Sequence, residues 1–202
     1  MQVMTTEALL DREEELRAID GALERARAGA GGLVVVEGPP GIGKTRLLEV
    51  ARGRARESGF LVLAARASEL DRAFPLGVVR QLFEPLLVNA DARRRGLLLR
   101  GAAAQAAPLL VEVPEDDGPR PSLERFHALY WLTANLADLG PLALVIDDVH
   151  WADAGSQRFL EFLAPRIEGL PVLVALATRP AEPGADRRAI DAVATDALAV
   201  VV

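Results

Sequence analysis

Eight residues constrain this chain more than any others. Gly38-Pro39-Pro40-Gly41-Ile42-Gly43-Lys44-Thr45 fits the phosphate-loop pattern G-x-x-x-x-G-K-[ST] at every fixed position. Such a loop works where a buried strand ends and a helix begins, because loop amides and the helix N-terminus then converge on one anion. The flanks supply that context. Leu33 to Glu37 is a short β-branched run, as expected for a strand buried on both faces of a parallel sheet. Lys44 to about Glu57 reads as a helix, and Phe60 to Ala65 as a second buried strand. Lys44 is also the only lysine among 23 basic residues. A compact ammonium on a flexible stem does there what the planar fork of Arg does not.

The remaining pattern alternates apolar strands with helices. Asp11 to Ala30 carries an apolar stripe at Leu16, Ile19 and Leu23, which predicts a helix closed by Gly29 to Gly32. Residues 1–30 are therefore expected to form a helical segment packed on a core of residues 31–202. A helical insertion is expected over 68–140. Within it one amphipathic helix runs from Leu76 to Leu87 and an Arg- and Ala-rich helix from about Asp91 to Ala107. Another covers Phe126 to Leu139, with Ser122 as its N-cap. Residues 108–121, with four prolines and a cluster of acids, read as a loop. Leu142 to Ile146 predicts a third buried strand, Asp153 to Ile167 a helix, Val172 to Ala177 a fourth strand and Ala197 to Val202 a fifth. Alternation of this kind points to an α/β fold, a parallel sheet sandwiched by helices.

Composition removes several classes of chemistry. There are no cysteines, so disulfides, thiolate metal sites and Cys nucleophiles are excluded. A net charge of −6 argues against this segment wrapping nucleic acid. No apolar stretch approaches the ~18 residues of a membrane span. The N-terminus lacks a basic region followed by an apolar run, so no signal peptide and a cytoplasmic location are expected.

The loop chemistry is specific. Gly38, Gly41 and Gly43 let the backbone turn tightly and aim N–H groups at phosphate oxygens, with Pro39, Pro40 and Ile42 completing the cradle. Lys44 is expected to bridge the β- and γ-phosphates of ATP, and the Thr45 hydroxyl to ligate Mg²⁺. The strand at Leu142 ends in Asp147-Asp148, and ligands of parallel sheets sit at that end. Asp147 is the expected Mg²⁺ partner, direct or through water. Asp148 is placed to orient or deprotonate the attacking water, although Asp is one methylene shorter than Glu and hydrolysis is expected to be slow. Thr178 and Arg179, after the fourth strand, are candidates to touch the γ-phosphate or that water.

Read together, Leu10-Asp11-Arg12-Glu13-Glu14-Glu15-Leu16, the phosphate loop, Leu144 to Asp153 (LVIDDVHWAD) and Ala177-Thr178-Arg179-Pro180 resemble one family. It is the AAA-type ATPase domain of large LuxR-type (LAL, MalT-like) bacterial transcriptional regulators, of the STAND class. The resemblance implies a three-layer P-loop NTPase core with a five-stranded parallel sheet in the order 5-1-4-3-2. It implies ATP/ADP as a switch, with the ATP state permitting self-association. It also implies that Leu10 to Arg12 lies near the adenine, although Asp11 stands where Gly is common. The winged-helix, repeat and helix-turn-helix regions of such regulators are absent from these 202 residues. They are expected as partner domains of a longer protein, so DNA binding does not transfer.

Other residues have blander readings. His150 could shuttle a proton, but with Trp151 it is expected to pack the loop and orient Asp148. His127 reads as structural. Arg93 to Arg95 and Arg100 read as a solvated helix face rather than a nucleic-acid contact. Arg187-Arg188 could reach a neighbouring subunit as an arginine finger. Three alternatives to an ATP-hydrolysing switch stay open: a nucleotide-gated scaffold without turnover, a small-molecule kinase and a DNA-loading motor.

Overall fold

The computed structural model describes residues 12–111, 123–180, 197 and 199–201. Helix α1 (Glu13–Arg27) leads into strand β1 (Gly32–Glu37), helix α2 (Lys44–Glu57) and strand β2 (Leu61–Arg66). Four helices follow: α3 (Gly77–Val88), α4 (Ala92–Leu98), α5 (Ala106–Val111) and α6 (Leu123–Ala137). Strand β3 (Leu142–Asp147), helix α7 (Ala154–Leu163), strand β4 (Val172–Thr178) and strand β5 (Ala199–Val201) complete the described chain.

The strands lie in the order β2-β3-β4-β1-β5, and every pairing is parallel. The four long strands hold the expected order 1-4-3-2. Of the fifth, expected over Ala197 to Val202, the described residues hold a three-residue parallel ladder of Ala199–Val201 on β1.

Burial explains the layers. Strands β3 and β4 are buried along their whole length, which is why they read as continuous apolar runs rather than alternating ones. Successive side chains point to opposite faces. Val34, Val36, Ala143, Val145, Leu173 and Ala175 pack with Ile19 and Leu23 of α1 and Leu47 and Leu48 of α2. Leu33, Val35, Leu144, Ile146, Val174 and Leu176 pack with residues of α3, α6 and α7 on the other face. Phe159 of α7 joins that layer, meeting Phe83 edge-on with ring centroids 6.3 Å apart and Phe126 at 6.4 Å.

Several expectations change. Strand β2 is only half-buried, because it is the outer strand of the sheet among the described residues. The helix expected from Asp91 to Ala107 is broken. It stops at Leu98, and Gly101 with φ 62° opens a 3₁₀ turn before α5. The loop expected over 108–121 begins later, since Pro108 sits in the first turn of α5, where its missing N–H costs no hydrogen bond. The rest of that loop and Ser122 lie outside the described residues. Among the described residues no helix is long and apolar enough to cross a membrane.

Candidate functional site

The parallel register brings strand ends together. Glu37 of β1 pairs with Thr178 of β4, and Arg66 of β2 pairs with Asp147 of β3. The phosphate loop leaves β1 at this edge, tied to β4 by a bond from the Gly38 N–H to the Thr178 carbonyl at 3.3 Å. Gly41 (φ 81°) and Gly43 (φ 97°) take left-handed conformations that other residues adopt at a cost. Gly38 is crowded for a different reason, because a Cβ there would stand 2.9 Å from the Cγ2 of Ile42, whose side chain would have to shift. Gly43 caps α2, so the free N–H groups of that helix face the loop.

Lys44 is buried, and its ammonium curls back to donate to the carbonyls of Gly38 at 2.7 Å and Pro39 at 2.9 Å. Pro39, Pro40, Gly41, Ile42 and Gly43 are exposed around it. The Thr45 hydroxyl donates to Asp147 Oδ2 at 2.8 Å. Asp147 Oδ1 accepts the Asp148 N–H at 2.9 Å, which holds the carboxylate toward Thr45. Asp148 begins a 3₁₀ turn over Val149–Trp151 with φ 52° and ψ 41°. Asp is among the few residues that enter this region readily. Its carboxylate lies 3.5 Å from Nη2 of Arg66.

His150 packs on Trp151 with ring centroids 5.2 Å apart. Both of its ring nitrogens are buried and, among the described residues, neither has a hydrogen-bond partner. It packs the turn as expected but makes no hydrogen bond to Asp148. Burial lowers its pKa; Asp148 opposes this, while the charges of Arg179, Lys44 and Arg72 push the same way as burial. Arg179 is thus within electrostatic reach of His150. Thr178 is fully buried, with its hydroxyl donating to the Arg179 carbonyl at 3.3 Å, so it does not face the loop opening as a free polar group.

Arg12 reaches the loop from the N-terminal side. Its Nη2 donates to the Ile42 carbonyl at 3.0 Å, and its Nη1 pairs with Glu15 at 2.7 Å, which holds the Glu15 carboxyl below the usual carboxylate range. Leu10 and Asp11 lie outside the described residues, as do Arg187 and Arg188. His127 accepts from the indole of Trp131 at 3.1 Å on the exposed side of α6, away from this site. Arg93 and Arg94 are exposed on α4.

Two contacts escaped sequence reasoning, one made by Asp153 and one by Arg66. Asp153 caps α7 through Ser156 and also accepts the Leu76 N–H at 2.8 Å, which pins the start of α3 to the turn after β3. Its signal was the Asp three residues before Ser156. Arg66 faces both carboxylates, and no local pattern announces that. A cleft of about 300 Å³ opens beside them, lined by Thr45, Glu49, Arg52, Arg66, Gln81 and Asp147.

Comparison with known proteins agrees with this arrangement. A family model described as an AAA ATPase domain matches residues 8–175. An uncharacterized protein of Rhizobium meliloti (strain 1021) is 31% identical over 197 residues, covering 85% of this chain. The chain spans only 18% of the length of that relative. Among solved structures, Cdc6p from Pyrobaculum aerophilum is similar with a TM-score of 0.55 at 15% identity, over 100% of this chain and 47% of that one. Drosophila ORC bound to DNA is similar with a TM-score of 0.50 at 14% identity, over 96% and 42%. At such identities the likeness is one of fold. The phosphate loop, its strand-helix context and the family match together establish that the chain belongs to the AAA ATPase domain family, with a nucleotide-binding P-loop fold.

Proposed function

We propose that this domain is an ATP-dependent switch that binds ATP with Mg²⁺ and hydrolyses it slowly. The observation that carries the reading is the 2.8 Å approach of Thr45 Oγ1 to Asp147 Oδ2 at the mouth of the phosphate loop. A hydroxyl and a carboxylate are hard oxygen donors, and Mg²⁺ suits one or two such groups together with substrate phosphates. When bound, Mg²⁺ would supply charge neutralisation between the β- and γ-phosphates. The loop amides of Gly38 to Thr45 cradle the phosphates, and Lys44 exchanges its two loop carbonyls for phosphate oxygens. Asp148 orients the attacking water, Arg179 approaches the γ-phosphate, and Arg12 lies on the adenine side of the loop. The likeness of the LVIDDVHWAD and ATRP segments to large LuxR-type regulators supports a switch of the STAND class, in a longer cytoplasmic protein that self-associates when ATP is bound. Calorimetric titration with ATP·Mg²⁺ tests the reading. Lys44→Ala is expected to weaken binding at least about ten-fold, or about 1.4 kcal/mol. Unchanged affinity would sink it.

A second reading is a nucleotide-gated scaffold without significant turnover. The 3.5 Å ion pair between Asp148 and Arg66 favours it, since that carboxylate is already engaged by a guanidinium rather than left to a water. Single-turnover hydrolysis by wild type and Asp148→Asn separates the two. Equal rates remove Asp148 from the chemistry.

A further inference from the structure

We propose that Arg66 is a resident counter-ion for the Asp147-Asp148 pair, holding the cation position at Asp147 and yielding it to Mg²⁺ when the metal arrives with ATP. The proposal rests on the nucleotide reading above. Arg66 is the last residue of β2 and stands in register with Asp147 of β3, so both side chains leave the sheet on the same face. Its Nε lies 3.8 Å from Asp147 Oδ2, the same oxygen that accepts the Thr45 hydroxyl. Its Nη2 lies 3.5 Å from Asp148 Oδ2. One guanidinium thus spans two adjacent carboxylates that would otherwise repel each other.

The root of this side chain is fixed and its head is exposed. The Arg66 N–H donates to Gln81 Oε1 of α3 at 3.1 Å, and the next residue, Ala67, donates its N–H to the Asp147 carbonyl at 3.0 Å. The side chain itself is 69% exposed, whereas that of Asp147 is 11% exposed. A divalent cation and a guanidinium compete for Oδ2, because like charges at such separations repel. The head of Arg66 has somewhere to go, since it already lines the cleft beside Thr45 and Asp147. Arg66 therefore sets the Mg²⁺ concentration at which the site closes on ATP, and it keeps the carboxylate pair compatible with the fold until then.

The test titrates Mg²⁺ into the 202-residue chain at fixed ATP, followed by calorimetry, for wild type, Arg66→Gln and Arg66→Lys. An exposed pair is worth little, so the half-saturating Mg²⁺ concentration should fall about two- to five-fold in Arg66→Gln. Arg66→Lys, which keeps a cation but loses the two-carboxylate span, should fall between. A second readout excludes a merely structural role. Without Mg²⁺, Arg66→Gln should melt below wild type, and saturating ATP·Mg²⁺ should close that gap. A half-saturation that is unchanged or raised overturns the counter-ion role, as does a melting deficit that persists under saturation. A wild-type chain that binds no ATP·Mg²⁺ removes the nucleotide reading and this proposal with it. Wild-type binding with a superimposed Arg66→Gln curve removes this proposal alone.

Discussion

The hydroxyl of Thr45 donates to the carboxylate of Asp147 at 2.8 Å, across 102 residues of chain. Each side chain is set by its immediate neighbours in the chain. Thr45 is set by the left-handed Gly43 that caps α2, and Asp147 by its Oδ1 bond to the Asp148 N–H. Thr45→Ala removes one oxygen of this pair and leaves the loop backbone unchanged. ATP affinity without Mg²⁺ should stay close to wild type, and the gain in affinity on adding Mg²⁺ should be lost. Titrations with ATP, with and without the metal, read both numbers.

Asp148 should tolerate Asn far better than Ala. Its φ of 52° and ψ of 41° lie in the left-handed region, which costs most residues about 1–2 kcal/mol and Asn or Asp less. Urea unfolding should show Asp148→Asn close to wild type and Asp148→Ala lower by about 1 kcal/mol. A reversed order would remove backbone strain as the reason for an acid or amide here.

Two glycines should respond oppositely to alanine. A Cβ on Gly31 would stand 2.2 Å from the Ile167 carbonyl oxygen and 2.6 Å from that of Leu170. These are backbone atoms, so relief requires moving the loop before β4, and Gly31→Ala should destabilise by about 1–3 kcal/mol. Gly53 lies inside α2 with open space where a Cβ would stand. Gly53→Ala should stabilise by about 0.5–1 kcal/mol, through helix propensity and a less disordered unfolded chain. Paired denaturation curves check both signs.

His150 should make the fold sensitive to mild acid. Burial is the first cause of its lowered pKa, with Arg179, Lys44 and Arg72 adding to it and Asp148 opposing. The unfolded chain takes up the proton near 6.5, the folded chain only at lower pH. Unfolding therefore binds a proton in between, so this contribution to stability is present above 6.5 and is lost as pH falls toward the folded pKa. In His150→Phe that part of the slope should disappear. Thermal melts between about pH 5 and 7.5 span the window around the ordinary imidazole value. An unchanged slope in the variant would assign the acid sensitivity to carboxylates.

Local patterns carried the elements that are defined by their own residues. Helix α2 runs Lys44–Glu57 as its flanking signals predict, and the buried runs at β1, β3 and β4 are long, apolar and β-branched enough to read as strands. Elements governed by neighbours were less legible. The break at Gly101 and the inclusion of Pro108 in α5 follow from how the insertion packs, with Ala103, Ala106 and Leu110 fully buried under α3 and α6. Strand β2 looked buried because its composition is apolar, but its place at the edge leaves it half-exposed.

By itself, the sequence determined the phosphate loop, its strand-helix setting and the carboxylates at the end of β3, because each depends on residues close together in the chain. Tertiary structure alone decided that Arg66 stands against Asp147 and Asp148, and that Asp153 pins α3. Those contacts depend on parallel register between β2 and β3 and on where the insertion docks, and both are settled by long-range burial rather than by any local pattern.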